Sequence, residues 1–549
     1  MRRGPGAILT CVVTACALMA VPVFAAPSKE VREAEQALAA ALRGGELAAL
    51  EAAVARLVAF DTAEAAAALL QWAERVPPGA DRVYWRLLGG AASMRSQAAL
   101  EVVAERILGR NKVLGRDLLF ALQNNRSQHV PLVVLRPVLL KGADDLQLLA
   151  AEQCGAIESV EAVDVLLEAL EKAERKGGEL QQRLLAGLKH LTGADLGAAA
   201  NWRKWWQEQR PRGLPARKDG QQGVTVTGTA MDDLGLRAAE IGRVREFRKE
   251  QVLVVVANCK RGGLRGCNFD DIAGLLERMR IPHTVVTKEE FEQGKVDLGK
   301  ALVVLNTCVQ IHEHCVCPSC VPGGGPAGNR LVQCTGCDVH EIVHHKFSGA
   351  AVEKIRRWVE AGGYLFSEDW GLADVLERAW PKLIRQGSMM KQRTVTVTPG
   401  RGMTTHPLLR GVFVDPEAAR RSQGAGEGTT VSRNPAEAEA SRDGIVRYWA
   451  IDDDSPYIEV VGPGVTVLME SEELAQAGGP SSRAVAVTFL PKGGGEAAAI
   501  QGRPERLRGG RVLHVLSHFG KQRTDLDEFS LQNLLLNFLL EAQERATAR

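Results

Sequence analysis

The chain has 549 residues, of which 45% are apolar and 24% charged, with a formal net charge of +2. That balance gives no bulk attraction to nucleic acid or to an anionic membrane. Aromatic residues make up only 5%, which argues against a stacking platform for single strands. The length allows about two to four domains.

Residues 1–26 read as a signal peptide. Arg2 and Arg3 form the positive end, residues 7–24 are apolar, and Val23-Phe24-Ala25 before Ala26 offers a small-residue cleavage site. Val13-Thr14-Ala15-Cys16 has the outline of a lipoprotein box, but the apolar run continues past Cys16 and favours cleavage near Ala25. The expectation is an exported protein, periplasmic or secreted. No later stretch reaches about 18 apolar residues, so no transmembrane segment is expected in the mature chain. Cleavage removes Cys11 and Cys16 from the eleven cysteines and leaves an odd number, which argues against a complete disulfide set.

Residues 29–210 are rich in alanine, leucine and glutamate, with apolar residues recurring at three and four, the amphipathic helix period. The stretch repeats. Leu87-Leu88 opens a unit containing Arg95-Ser96-Gln97, and Leu118-Leu119 opens the next, containing Arg126-Ser127-Gln128, 31 residues on. Leu149 opens a third, and a looser copy begins at Leu184-Leu185. Helix, polar turn and helix at that period predict an α-solenoid, and the pattern resembles the HEAT-repeat family. Such a surface implies a protein partner. Trp202, Trp205 and Trp206 share a helical face and are expected to close the array as core. Cys154 falls on an apolar face and is expected to be a packed thiol.

Residues 211–250 break the helical pattern and read as a linker, with Pro211, Pro215, Gly220 and Gly223 as punctuation, a short strand at 224–229 and a lead-in helix at 236–249.

From 251 to 545 the chain alternates strand and helix. Residues 251–257, 283–286, 301–306 and 364–367 are predicted strands, and residues 348–361 a helix stopped by Gly362-Gly363. The alternation predicts a doubly wound, parallel α/β sheet. The glycine-bearing basic loop at 260–267 follows the first strand, where open sheets bind small molecules. It is either an anion site or a solvated loop, and Cys259 and Cys267 in and beside it could pair as a disulfide.

Residues 308–347 interrupt this domain. Cys315-Val316-Cys317-Pro318-Ser319-Cys320, thirteen residues, then Cys334-Thr335-Gly336-Cys337 is the spacing of a zinc ribbon. Two thiolates three apart on a tight turn grip one ion from the same side. The expected ligands are Cys317, Cys320, Cys334 and Cys337, with Cys315 as a substitute ligand or a free thiol; disulfides are the alternative in an exported chain. His340-Glu341-Ile342-Val343-His344 also fits a zincin helix, with both histidines on zinc and Glu341 as general base. The plainer reading is a short cap on the ribbon, with His340 as a spare ligand.

The passage WVEAGGYLFSEDWG at 358–371, then THPLLRGV at 405–412, then GRVLHVLSHFG at 510–520 and the helix EFSLQNLLLNFLLEA at 528–542 resembles the class I glutamine-amidotransferase-like superfamily. It is most similar to the trehalose-utilisation type and related bacterial domains. The resemblance implies a catalytic cysteine at the turn after strand 364–367 and a histidine after strand 512–517. This chain has Ser367-Glu368-Asp369 at the turn, and His518 stands near the histidine position. A Ser367–His518 nucleophile and base is one candidate; Glu368 and Asp369 as helix caps is the other. Residues 415–443 lack periodicity and read as a mobile loop, and Asp452-Asp453-Asp454 as a solvated turn.

The sequence therefore predicts an exported, non-catalytic, zinc-binding interaction protein. The alternatives are a zinc-dependent hydrolase at His340–His344 or a carbohydrate-acting enzyme using Glu368, Asp369 and His518.

Overall fold

The computed structural model describes residues 28–125, 127–175, 177–214, 237–256, 272–308, 331–332, 340–341, 346–414, 446–492, 509–522 and 524–547. The signal segment, the loop at 260–267, Cys315, Cys317, Cys320, Cys334, Cys337, His344 and residues 415–443 lie outside them.

The first part is helical: α1 (Lys29–Gly44), α2 (Leu47–Phe60), α3 (Ala63–Arg75), α4 (Asp81–Ala92), α5 (Gln97–Ile107), α6 (Lys112–Ala121), α7 (Arg136–Lys141), α8 (Asp144–Gly155), α9 (Val160–Ala173), α10 (Glu179–Thr192) and α11 (Ala199–Gln209). Five of these helices begin at a side-chain cap. Ser28, Thr62, Ser96, Asn111 and Ser159 each accept a hydrogen bond from the backbone N–H three residues on. The repeating serine also joins one unit to the next: Ser96 Oγ donates to Asp61 O at 2.5 Å, and Ser127 Oγ to Arg95 O at 2.9 Å. Trp202 and Trp206 are buried, and Trp206 donates from Nε1 to Asp164 on α9 at 2.7 Å. Cys154 is buried against Ala162 O, and burial pushes its thiol well above the usual range.

The second part is built on strands: β1 (Val252–Val256), β2 (Thr284–Thr287), β3 (Val303–Asn306), β4 (Leu331–Val332), β5 (His340–Glu341), β6 (Tyr364–Glu368), β7 (Ile384–Met389), β8 (Arg393–Pro399), β9 (Arg447–Ile451), β10 (Pro456–Val460), β11 (Val465–Glu470), β12 (Ala484–Phe489) and β13 (Arg511–Val515). Nine of them form one sheet in the order β2-β1-β3-β6-β13-β12-β11-β8-β9. The strands from β2 to β13 in that order are parallel, whereas β12, β11, β8 and β9 run antiparallel. The sheet is thus mixed rather than wholly parallel. An apolar run such as β12, buried throughout, reveals a strand but not its direction.

Ser348 caps the helix Gly349–Glu360, and Gly362 at φ 123° ends it, as expected from the two glycines. Gly510 then crosses close under this turn: its N–H bonds Val359 O at 2.7 Å, and a Cβ there would stand 1.8 Å from Gly363 O. Gly510→Ala is expected to destabilise the chain by about 1–3 kcal/mol. An unchanged thermal midpoint would show that this crossing relaxes freely.

The two parts touch along the segment between β8 and Phe413. Trp85 Nε1 donates to Pro399 O at 3.0 Å. Arg401 lies over the Tyr84 ring at 4.3 Å and reaches Asp81 at 2.5 Å. Asp117, fully buried on α6, accepts from Tyr84 OH at 2.9 Å, Thr404 Oγ1 at 2.8 Å and Gly402 N at 3.2 Å. Phe120 meets Phe413 edge-on at 6.0 Å. Further along, Arg410 bridges Glu152 of α8 at 2.8 Å and Glu240 at 2.9 Å. Residues 399–413 thus form a place where the helical and strand parts meet.

Candidate metal centre

Three parallel neighbours, β3, β6 and β13, end level with one another because Asn306 pairs with Ser367 and Ser367 with His514 in register. The residues just beyond their carboxyl ends are Cys308, Asp369 and His518. Open α/β sheets bind ligands at this edge. Thr307 fixes the exit of β3, donating from Oγ1 to Val255 O at 2.8 Å. Asp369 adopts φ 38°, a left-handed conformation unfavourable for a non-glycine residue, and its N–H bonds Val515 O at 2.9 Å. The wide π-helical turn Leu372–Leu376 follows. Strain at that strand-to-helix turn aims the carboxylate across the ends of the neighbouring strands.

The donor atoms converge. One ligand atom each from Cys308, Asp369 and His518 lie within 4.8 Å of one another. Cys308 Sγ donates to Asp369 Oδ2 at 3.5 Å, and His518 Nε2 stands 3.4 Å from the same oxygen. On its other side, His518 Nδ1 faces Asp452 Oδ2 at 3.7 Å, and Lys521 Nζ holds that carboxylate at 2.7 Å. The corner is closed: Cys308, Asp369 and His518 are 4%, 2% and 1% exposed. Asp369 Oδ1 and His518 Nε2 are buried without a hydrogen bond. Burial pushes the Asp369 carboxyl up to about 7, with the nearby Ser455 hydroxyl and Cys308 thiol acting against it. Burial pulls His518 down to about 4, with Lys521 acting the same way and Asp452 against it. The imidazole is therefore neutral near pH 7, with a lone pair available to a cation.

The sequence candidates fall as follows. Ser367 does not reach His518; its Oγ lies 3.3 Å from His514 Nδ1, whose titration burial pulls down to about 3. Glu368 is wholly buried, and Asp369 faces Cys308 and His518 instead of capping a helix. His340 and Glu341 form a short antiparallel strand, with His340 opposite Val332 and Glu341 opposite Leu331. His344, the second histidine of the expected zincin pair, lies outside the described residues. Asp452 is no free turn carboxylate but the partner of His518 and Lys521. Cys308, Asp452 and Lys521 carried no role in the sequence reading. The signal that could have found Cys308 was its place just past a buried strand, level with Asp369 and His518.

No family model matches the chain, and no curated protein matches it. Among solved structures it is similar, at 8% identity and a TM-score of 0.23, to Exo-beta-1,4-mannosidase Op5Man5 from Opitutaceae bacterium strain TAV5, covering 85% of this chain and 77% of that one. A likeness at that level carries no argument.

Proposed function

We propose that this protein is an exported, non-catalytic, zinc-binding interaction protein. A HEAT-like array holds a degenerate amidotransferase-like α/β domain whose cysteine-rich insertion binds zinc through Cys317, Cys320, Cys334 and Cys337. A partner protein would use the remaining array surface, and a small ligand the α/β crevice. The observation that carries the reading is the grip of Asp117, Trp85 and Asp81 on the loop at 399–404. This packing of the helical part on another segment of its own chain supports a surface suited to polypeptide. The closed corner supports the non-catalytic half, since the turn that would carry a nucleophilic cysteine carries Asp369, 2% exposed.

A second reading has its own support. Asp369 at a strained turn, His518 beside it and Asp452 behind the imidazole form the line of a nucleophile, base and orienting acid. A hydrolase acting on a sugar-like substrate would use them so.

The test is activity beside metal content. The full chain is expected to release no ammonia from glutamine and to hydrolyse no glycoside above the rate of its His518→Ala variant, while holding zinc that Cys334→Ser reduces. Turnover lost in His518→Ala would overturn the non-catalytic reading in favour of the hydrolase. Zinc-free protein with paired half-cystines would remove the ribbon.

A further inference from the structure

We infer that Cys308, Asp369 and His518 form a second metal site, distinct from the cysteine knuckles, for a zinc-class transition-metal cation. A tetrahedral ion with bonds of about 2.0–2.3 Å has ligand–ligand edges of about 3.3–3.8 Å. The Cys308 Sγ to Asp369 Oδ2 and His518 Nε2 to Asp369 Oδ2 separations are 3.5 and 3.4 Å.

Electrostatics points the same way. A sulfur, a carboxyl group and an imidazole crowd one buried spot, and the Lys521 ammonium is bonded to Asp452. Two of the donor groups bury a polar atom, Asp369 Oδ1 and His518 Nε2, with no hydrogen bond. Such an atom is costly to leave buried and unsatisfied. One cation among the three groups neutralises the carboxylate and satisfies the imidazole.

The donors also select the metal. One sulfur, one nitrogen and one oxygen suit zinc and its softer neighbours, not magnesium or calcium, which take oxygen shells. The surroundings match as well. Asp452 behind Nδ1, itself held by Lys521, is the carboxylate–histidine–metal arrangement that orients a ligating ring. Among the described residues the donors number three, and a fourth position remains for a further ligand.

The site does not depend on the knuckles, so the test removes them. In full-length protein with Cys317, Cys320, Cys334 and Cys337 all changed to serine, cobalt(II) titration is expected to bind one equivalent and to develop a thiolate-to-cobalt absorption band. Adding Cys308→Ser should abolish the band. Asp452→Asn, which leaves every ligand in place, should weaken cobalt binding by about 10–100-fold. A folded background protein without the band, or a band surviving Cys308→Ser, overturns the site. If the four-serine background does not fold, the unmodified chain decides: it should hold two equivalents of zinc and its Cys308→Ser variant one. No change between them overturns the site. One equivalent in the unmodified chain that is lost in Cys308→Ser would instead retain this site and remove the ribbon.

Discussion

Replacing Asp117 with alanine is expected to destabilise the chain by about 2–4 kcal/mol, because three buried or half-buried donors lose their acceptor together. Tyr84 OH, Thr404 Oγ1 and Gly402 N all point at this carboxylate. Asp117→Asn keeps an oxygen toward them and removes the charge, so it should behave differently with pH. Burial pushes the Asp117 carboxyl up to about 7, while the hydrogen bonds from Thr404, Tyr84 and Gly402 and the charge of Arg401 pull it down. Unfolded, the same group titrates near an ordinary carboxylate value of about 3.9. The folded protein therefore binds the proton more tightly. The stability that this group contributes is full below about pH 4, declines as pH rises to about 7, and is constant above it. As much as about 4 kcal/mol is at stake. Equilibrium urea unfolding between pH 4 and 8 should show the original chain losing stability relative to Asp117→Asn as pH rises. Parallel profiles would mean that the three donors and Arg401 keep the carboxylate charged in spite of its burial.

Breaking the Lys288–Asp374 pair is expected to cost about 3–5 kcal/mol. Lys288 is wholly buried, 2.6 Å from Asp374, with its ammonium 4.4 Å from the centre of the Phe347 ring. Asp374 also accepts from Phe347 N at 2.8 Å. Asp374 thus ties Phe347, the last residue of the 308–347 stretch, to the turn Leu372–Leu376. Asp374→Ala takes this carboxylate from a buried ammonium. The double change Lys288→Met with Asp374→Asn removes both charges and keeps an acceptor for Phe347 N, and should cost less than Asp374→Ala alone. Equal costs would show that the backbone bond, not the charge, matters.

Much of the local structure was legible. The helix at 348–361, the core strands β1, β3 and β6, and the tryptophan-bearing helix α11 follow from short-range signals that the chain states plainly. Thr394-Val395-Thr396-Val397-Thr398 also alternates with period two, and its omission from the sequence reading was a missed signal rather than an absent one. What could not be read was long-range. Cys308 meets Asp369 across 61 residues of chain, a convergence set by the register of three strands and not by any motif. Asp369 looked like a helix cap because carboxylates at helix starts usually are caps; its positive φ turned it across the strand ends instead. Asp117 sits within a repeat unit, and nothing in its neighbours announces that a loop from beyond residue 399 supplies its partners.

The most direct test of the centre at the sheet edge is an anomalous-difference map at the zinc absorption edge from crystals of the full chain. The account expects a peak about 2.0–2.3 Å from Cys308 Sγ, a carboxylate oxygen of Asp369 and His518 Nε2. Featureless density there, with zinc present only among the cysteine knuckles, would contradict it.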